Sequence, residues 1–348
     1  MAWCGLEGVE SVVERFRRGL RSRRLGSAYL FCGPPGVGKR LCALYMAKAL
    51  LCERHEETDL EPCLECPSCL QIAAGTHPDV DLIGLPEGKS QIPVELLIGD
   101  PEHRMREGLC HRISLRPLRG RRRVAIIDDA DHLNVTGANA LLKTLEEPPP
   151  GALLFLISSS LQRQLPTIRS RCQIYHFQPL PDAFIQRYVL EQQWVTNAAQ
   201  ATQVAEWAEG SLDRAKEFSD PAIEEFRRGL VRLWEQTPRM SWELAKYVES
   251  FVDALGKDSR FAAQRRSRLR VAMLLMVHHL RQAWHGSGEA REAQGIAAAE
   301  ATCARIERSL LGLEQIEANA NLATLVAAWM DDLCQEPPLA APHDWGVY

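Results

Sequence analysis

Apolar residues along the chain recur in two patterns, and the change between them divides the sequence. In roughly the first 180 residues, short continuous apolar runs alternate with stretches in which apolar residues return every three or four positions. The continuous runs predict buried strands at 27–32, 124–127 and 153–157. Helical spacing follows the first strand at 41–51 and precedes the third at 139–147, where Pro148-Pro149-Pro150 is expected to stop the helix. This alternation predicts a parallel sheet flanked by helices.

Beyond Pro179 the strand-like runs give way to helical spacing that continues to the end of the chain. Glycine and serine interrupt this spacing at Gly210-Ser211 and again at Gly286-Ser287-Gly288, where we expect breaks between helices. The sequence therefore predicts an α/β domain, a small helical lid and a larger helical domain, over 1–178, 179–220 and 221–348 respectively.

Composition narrows the classes of function. The 348 residues include 41 Lys and Arg against 45 Asp and Glu, a net charge of −4. This balance argues against a dedicated high-affinity DNA-binding protein, but not against a subunit that touches DNA weakly within an assembly. The N-terminus lacks the basic and apolar segments of a signal peptide, and no apolar run reaches the ~20 residues of a membrane span. We therefore expect a cytoplasmic protein.

A phosphate-binding loop is predicted directly after the first strand. The segment reads Gly33-Pro34-Pro35-Gly36-Val37-Gly38-Lys39-Arg40, which contains the pattern G-x-x-x-x-G-K between a strand and a helix. Glycines at these positions let backbone N–H groups converge on phosphate oxygens, and Lys39 supplies a positive charge for the outer phosphates. The alternative is a glycine-rich turn without a ligand, which leaves the lysine and the flanking elements unexplained.

Two positions depart from an efficient ATP-hydrolysing site. Arg40 replaces the Ser or Thr whose hydroxyl normally binds Mg²⁺, and a guanidinium repels the ion, although it can pair with phosphate. Asp128 follows the second strand, where a carboxylate would hold Mg²⁺. The next position normally carries a glutamate that polarises the attacking water, but here it is Asp129, which is one methylene shorter. We expect nucleotide binding to remain feasible and hydrolysis to be slow. An acidic strand end without a catalytic role is the alternative.

Four of the eleven cysteines form a cluster after the helix that follows the phosphate loop. Cys52, Cys63, Cys66 and Cys69 have the spacing C-x10-C-x2-C-x2-C, which suits a closed, structural Zn²⁺ site with four thiolate ligands. Unrelated thiols and an iron–sulfur cluster are the alternatives, and nothing else in the sequence indicates redox chemistry.

Several stretches together resemble the AAA+ clamp-loader family of bacterial DNA polymerase III. They cover about residues 25–175 densely and are Gly26 to Phe31, the phosphate loop with its cysteine insertion, Gly75-Thr76-His77-Pro78-Asp79, Ala138 to Pro149 and Ile168-Arg169-Ser170-Arg171-Cys172. The C-terminal half matches only through Asn319-Ala320-Asn321-Leu322, for which an ordinary helix cap is an equal explanation.

The resemblance implies an AAA+ P-loop module with a zinc insertion, a helical lid and an all-α collar that assembles subunits into a ring. In this family the arginine of Ser170-Arg171-Cys172 reaches as a finger into the ATP site of a neighbouring subunit. The implied partners are the motor (tau/gamma) and delta subunits of a hetero-pentamer, and through it a sliding clamp and primed DNA. Ser159 and Ser160 fall where the motor subunit has hydroxyl residues after the third strand.

One further departure concerns the lid. The motor subunit would have a phosphate-sensing arginine at position 213, but the residue is Asp213 and the arginine is displaced to Arg214. One helical position is a rotation of ~100°, which would turn that side chain elsewhere. With Arg40 and Asp129, this makes a non-hydrolysing stator subunit the favoured interpretation. An ATP-hydrolysing motor subunit is the main alternative, and a small-molecule kinase fits poorly.

The run Arg119-Gly120-Arg121-Arg122-Arg123 precedes the second strand. We interpret it as a solvated loop, and a phosphate-contacting patch that faces DNA within the ring is the alternative.

Overall fold

The computed structural model describes residues 3, 5–86, 88–103, 106–254, 256, 258, 261–285 and 291–335. The chain divides into two compact units, Met1–Glu217 and Phe218–Tyr348. Each unit is considered by itself. The predicted division into an α/β domain, a lid and a collar stays a prediction, and the predicted break at Gly286-Ser287-Gly288 lies outside the described residues.

A five-stranded sheet forms the centre of the first unit. Its strands are β1 (Ala28–Cys32), β2 (Val80–Ile83), β3 (Arg123–Ile127), β4 (Ala152–Ser158) and β5 (Gln173–His176). They lie in the order β2-β3-β4-β1-β5, and every neighbouring pair is parallel. Because all strands run the same way, their carboxyl ends meet at one edge of the sheet, which is where ligands bind in folds of this kind.

Both faces of the sheet are covered, as a parallel sheet requires. Side chains alternate across the strand, so Tyr29 and Phe31 pack on one face while Leu30 packs on the other. The first face meets apolar residues such as Phe16 and Met46, and the second meets Leu141 and its neighbours. Two separate apolar cores therefore hold the sheet between layers of helices.

The first unit also contains helices, several of which pack on this sheet. They are α1 (Glu10–Arg21), α2 (Lys39–Leu50), α3 (Pro67–Ala73), α4 (Glu95–Ile98), α5 (Gly108–Ser114), α6 (Val135–Glu146), α7 (Pro166–Arg169), α8 (Asp182–Glu191), α9 (Ala198–Ala208) and α10 (Leu212–Phe218). Helix α6 begins four residues before the predicted 139, because the Asn134 side chain accepts a hydrogen bond from the Gly137 amide and caps the helix.

The sequence predicted the fold class correctly, and all three predicted strands form. β2 and β5 were missed. Both are edge strands with partly exposed side chains, so neither has the continuous apolar run that identifies a central strand.

The regular secondary structure described in the second unit is helical. Its helices are α11 (Pro221–Trp234), α12 (Ser241–Asp253), α13 (Ala262–His285), α14 (Arg291–Glu317) and α15 (Leu322–Cys334). The Asn321 side chain accepts a hydrogen bond from the Thr324 amide at 3.2 Å, which agrees with the helix-cap interpretation of this segment. Within the described part of the chain, no helix combines the length and apolar character needed to cross a membrane.

Candidate functional site

The predicted phosphate loop connects β1 to α2 at the carboxyl edge of the sheet. Gly36 has φ +74° and Gly38, the N-cap of α2, has φ +88°, a backbone region that favours glycine. A Cβ atom at Gly36 would lie 2.1 Å from the Ser211 hydroxyl, and the Leu212 amide donates a hydrogen bond to the Gly36 carbonyl at 2.9 Å. The loop is therefore packed against the start of α10, where only glycine fits.

Lys39 occupies the first position of α2 and is almost fully buried. Its Nζ donates hydrogen bonds to the carbonyl oxygens of Gly33 and Pro34 at 2.6 and 2.5 Å. Burial lowers the pKa of Lys39, although the carboxylates of Asp131 and Asp128 oppose that shift. The two carbonyl oxygens thus hold the Lys39 ammonium inside the loop. If a phosphate were bound, its oxygens would take the place of these carbonyl acceptors.

Arg40 and Asp128 form an ion pair across this site. Arg40 Nη1 lies 3.4 Å from Asp128 Oδ2, and the Asp128 side chain is 18% exposed. Burial raises the pKa of Asp128, the neighbouring Asp129 adds to the rise, and Arg40 opposes it. Asp129 has φ +51°, and its amide donates a hydrogen bond to Asp128 Oδ1 at 3.1 Å. The carboxylate predicted to hold Mg²⁺ is therefore engaged by the residue that replaces the usual hydroxyl ligand.

A third carboxylate, Asp131, was not predicted from the sequence. It accepts hydrogen bonds from the Ser158 hydroxyl at 2.5 Å, from the Ser159 amide at 2.6 Å and from the Gln164 side chain at 3.1 Å. Burial alone would raise the pKa of Asp131, but these hydrogen bonds outweigh it, so the pKa is lowered. Asp131 ties the end of β3 to the end of β4. The sequence feature that could have indicated Asp131 is its position shortly after β3, two residues beyond Asp129.

Ser159 and Ser160, which the resemblance aligns with hydroxyl residues of the motor subunit, have different surroundings. Ser159 lines the cleft beside the phosphate loop. Ser160 caps a short turn instead, with its Oγ accepting from the Gln162 amide at 3.3 Å and donating to Gln162 Oε1 at 2.5 Å. Ser159 is therefore the better candidate for a contact with bound phosphate.

These elements enclose a cleft of about 650 Å³ within the first unit. The phosphate loop, Arg40, Asp128, Asp129 and Asp131 line one side, and Tyr188, Trp194, Asp213 and Lys216 line the other. Arg214 pairs with Glu209 at 2.8 Å, as expected for a side chain turned by one helical position. Lys216 was not predicted, since no motif marks it, and it lies one helical turn beyond Asp213.

Arg171 lies just before β5, at the amino edge of the sheet and so opposite the phosphate loop of its own chain. Its Nε donates to Glu146 Oε1 at 2.8 Å, and its Nη1 donates to the Thr167 carbonyl at 2.9 Å and the Ser170 hydroxyl at 3.0 Å. The side chain is 33% exposed. The predicted finger is therefore orientated by local partners and open to solvent on its outer side.

The four clustered cysteines come together as the spacing predicted. Their Sγ atoms all lie within 4.8 Å of one another. The Cys63 sulfur accepts a hydrogen bond from the Cys66 amide at 3.2 Å, and backbone donors of this kind outweigh burial and lower the pKa of Cys63 to about 6. Four thiolates around zinc, with Zn–S bonds of ~2.3 Å, have S–S separations of ~3.8 Å. The donor set and its dimensions therefore fit a metal ion.

Three arginines of the run at 119–123 contact carboxylates of the same chain. Arg122 forms two hydrogen bonds to the Glu57 carboxylate at 2.8 and 3.1 Å, and Arg121 pairs with Glu56 at 3.2 Å. Arg123 is buried, and its guanidinium lies 3.9 Å from the Asp79 carboxylate. The contacts of Arg121 and Arg122 fasten the loop to the cysteine insertion. The prediction of a solvated loop is wrong for Arg123, which is buried as the first residue of β3.

The strand order and the phosphate loop define a P-loop module of the AAA+ type. The sequence model of the family described as DNA polymerase III, delta subunit, matches residues 8–181, half of the chain. The chain belongs to this family.

Three relatives show how far the similarity extends. The delta' subunit of Bacillus subtilis is 34% identical over 232 residues, 64% of this chain and 63% of that protein. The delta' subunit of Pseudomonas aeruginosa is 40% identical over 156 residues, 45% of this chain and 44% of that protein. The tau subunit of Escherichia coli is 35% identical over 220 residues, 62% of this chain and 32% of that protein. The chain thus spans less than two thirds of the length of each relative.

Proposed function

We propose that the chain is the delta' (stator) subunit of a bacterial DNA polymerase III clamp loader, and that its own ATP hydrolysis is weak or absent. The observation that carries the stator assignment is the ion pair between Arg40 and Asp128 at 3.4 Å. A guanidinium at this position supplies donors only, so it repels Mg²⁺ and engages the carboxylate that would hold the ion. Asp129, one methylene shorter than glutamate, is poorly suited to polarise an attacking water.

The assembly is inferred from the family and the relatives. DNA polymerase III subunits named delta' and tau share a third or more of their aligned residues with this chain. On this basis the partners are the motor (tau/gamma) and delta subunits of a hetero-pentamer, which loads a sliding clamp onto primed DNA in the cytoplasm. The lid at 179–220 would border the nucleotide cleft, and the helical domain at 221–348 would form the collar.

Arg171 would act in a neighbouring subunit. It lies at the sheet edge opposite its own phosphate loop, so it is poorly placed for that loop and well placed for a site outside the chain. A fork of guanidinium donors suits the charge that develops on a transferring phosphoryl group. Glu146 would hold the guanidinium ready until the neighbour's phosphates replace that carboxylate.

The metal at the cysteine cluster would be zinc. Cys52, Cys63, Cys66 and Cys69 would hold it through four thiolates, leaving no open position for catalysis. The ion would supply a cross-link between the end of α2 and the start of α3. Iron is the alternative metal for the same donors, and elemental analysis distinguishes the two.

The alternative function is an ATP-hydrolysing motor subunit, which the match to tau and the presence of Lys39 and Asp128 support. ATP turnover by the purified chain alone is the experiment that separates the two. We expect no turnover above background. Turnover that Lys39→Ala abolishes would refute the stator proposal, because it would show that this phosphate loop performs the chemistry itself.

A further inference from the structure

The first unit contains two arginine-rich segments, and their surroundings differ. The run at 119–123 is fastened to Glu56, Glu57 and Asp79. The second segment runs from the middle of α1 to just beyond its end, and its exposed arginines are Arg15, Arg18, Arg21, Arg23 and Arg24. Within the described ranges of the chain, none of these five forms an ion pair with an acidic side chain. The chain is acidic overall, so this concentration of arginines outside ion pairs needs its own explanation.

Packing fixes where these charges lie. Val12, Phe16 and Leu20 bury one face of α1 in the core beside the sheet, which turns the polar face outwards. Arg17, on the flank of that face, is neutralised by Glu14 at 3.2 Å and lies near Glu61 at 4.0 Å. Arg18 lies four positions beyond Glu14 on the same face of α1, and Arg21 also lines a neighbouring groove with Asp59 and Glu61, although neither arginine forms an ion pair with these carboxylates.

Arg15, Arg18 and Arg21 line one open groove of about 670 Å³ together with Gln173 and Tyr175 of the edge strand β5. The Arg15 guanidinium lies 4.4 Å from the centre of the buried Tyr175 ring, which fixes its position. The helix C-terminus accounts for cations at Arg18 and Arg21, but Arg15 lies before the last turn. We call the surface lined by Arg15, Arg18, Arg21, Gln173 and Tyr175 the arginine groove.

We propose that the arginine groove binds the sugar–phosphate backbone of nucleic acid without reading base sequence. Arginines three positions apart on a helix lie ~4.5 Å apart along its axis, so the long side chains of Arg15, Arg18 and Arg21 can reach several phosphates of one backbone. An exposed amide such as that of Gln173 is a typical neutral partner for phosphate. This surface does not depend on the stator assignment, since it requires neither ATP nor another subunit.

A nucleic acid fits better than a membrane surface. A helix that lies on a lipid surface pairs basic residues with large exposed apolar side chains that insert between the lipids. In the described part of the chain, the large exposed apolar residues lie outside α1 and outside the groove. The groove offers charge and hydrogen bonding without an apolar anchor.

The test measures binding of fluorescent single-stranded and duplex DNA to the full chain by anisotropy, without nucleotide, over a series of salt concentrations. One variant carries Arg15→Gln, Arg18→Gln and Arg21→Gln. The matched control carries Arg121→Gln, Arg187→Gln and Arg228→Gln, which removes the same charge from exposed, ion-paired positions. A third variant replaces the three groove arginines with lysine, which keeps the charge. Circular dichroism checks that each variant is folded.

We expect the glutamine variant to bind at least about tenfold more weakly at low salt. Its slope of log K against log salt should fall by about 2 to 3, because each lost phosphate contact removes about 0.9 on duplex DNA. The control and the lysine variant should retain most of the wild-type slope. Binding of the same proteins to phosphatidylserine vesicles is measured for comparison. The proposal would be overturned if the wild-type chain does not bind DNA, or if the control variant loses as much DNA binding as the glutamine variant. It would also be overturned if the glutamine variant loses vesicle binding but keeps DNA binding.

Discussion

The carboxylate of Glu146 binds the guanidinium of Arg171, whose Nε donates a hydrogen bond to Glu146 Oε1 at 2.8 Å. Glu146 ends α6 and Arg171 follows α7, so the pair joins two helix ends at the amino edge of the sheet. Both side chains are partly exposed, at 33% for Arg171 and 49% for Glu146. Exposed ion pairs of this kind contribute only ~0–1 kcal/mol to folding stability, so stability gives little reason to require this particular pair.

Removing the arginine should therefore separate activity from folding. Arg171→Ala is expected to lower the unfolding free energy by less than ~1 kcal/mol. The same change should lower the ATPase rate of the reconstituted complex about tenfold or more, because arginine fingers contribute about 10³ to 10⁵ at the site they serve. Denaturant unfolding and steady-state ATPase assays measure the two effects. Arg187→Ala is the control, since Arg187 also forms an exposed ion pair, with Glu7. Complex activity equal to the control would count against the finger.

Restoring two of the three altered positions should convert the phosphate loop towards a hydrolysing one. Arg40→Thr releases Asp128 and returns a hydroxyl ligand, and Asp129→Glu lengthens the carboxylate beside it. We expect the double variant to bind nucleotide in a Mg²⁺-dependent way and to turn over ATP at least about 10-fold above the background level expected for the wild type. Calorimetry with and without Mg²⁺ and a phosphate-release assay are the measurements. If the isolated wild-type chain already turns over ATP at the rate of the double variant, the explanation based on Arg40 is wrong.

Asp79 should make stability depend on acid pH. Its carboxylate accepts hydrogen bonds from the amides of Leu118, Arg119 and Gly120 at 2.6, 2.8 and 2.8 Å. Burial would raise the pKa of Asp79, but the three amides outweigh it and the pKa is lowered. The stability that this carboxylate contributes is therefore present above the unfolded-state pKa of ~3.9 and is lost as pH falls through the folded-state value.

Asp79→Asn is thus expected to cost about 3 kcal/mol at pH 7, because it also leaves the buried guanidinium of Arg123 without its carboxylate. The difference from the wild type should shrink as pH falls below about 4. Urea unfolding at several pH values measures both effects, and Asp59→Asn, at an exposed position, is the comparison. A difference that stays constant from pH 7 to low pH would show that the lost hydrogen bonds, and not the charge, matter.

The cysteine cluster should carry about one zinc ion per chain. Cys63→Ser is expected to lower the metal content and the melting temperature together, because the ion joins segments separated along the chain. Cys303→Ser, which changes an exposed cysteine outside the cluster, should alter neither. Elemental analysis and thermal unfolding are the measurements. Protein prepared without chelators that contains no zinc would refute the assignment, and iron in its place would change the metal but not the ligands.

The parts of the fold that the sequence revealed were those encoded locally. Central strands such as β4 are buried at every position because both faces of the sheet are covered, and β4 is apolar up to its last residue, Ser158, so it is recognisable without its neighbours. The edge strand β5 was missed because its exposed positions resemble a loop. The motif His77-Pro78-Asp79 could be matched to a family but not explained. Its role depends on amides of residues 118–120, which are adjacent only in the folded chain.

The candidate site shows the same division. Lys39 and Asp128 each follow a predicted strand, so the sequence alone brought them to one edge of the sheet. Lys216 reaches the cleft from α10 and Trp194 from the connection between α8 and α9, and no local sequence pattern predicts either residue there. Arg40 was predicted to disturb Mg²⁺ binding, whereas its ion pair with Asp128 required the structure.

The opposite placement of the phosphate loop and Arg171 gives the first unit a polarity. An association that uses both edges must run head to tail, because a two-fold symmetric pair would bring like edges together. In such a row, every interface combines one subunit's phosphate loop with the arginine of the next. A subunit with an intact arginine and an inactive phosphate loop would then supply its arginine to a neighbour's site without performing chemistry at its own. The position of this chain in the row would decide which interface does no chemistry.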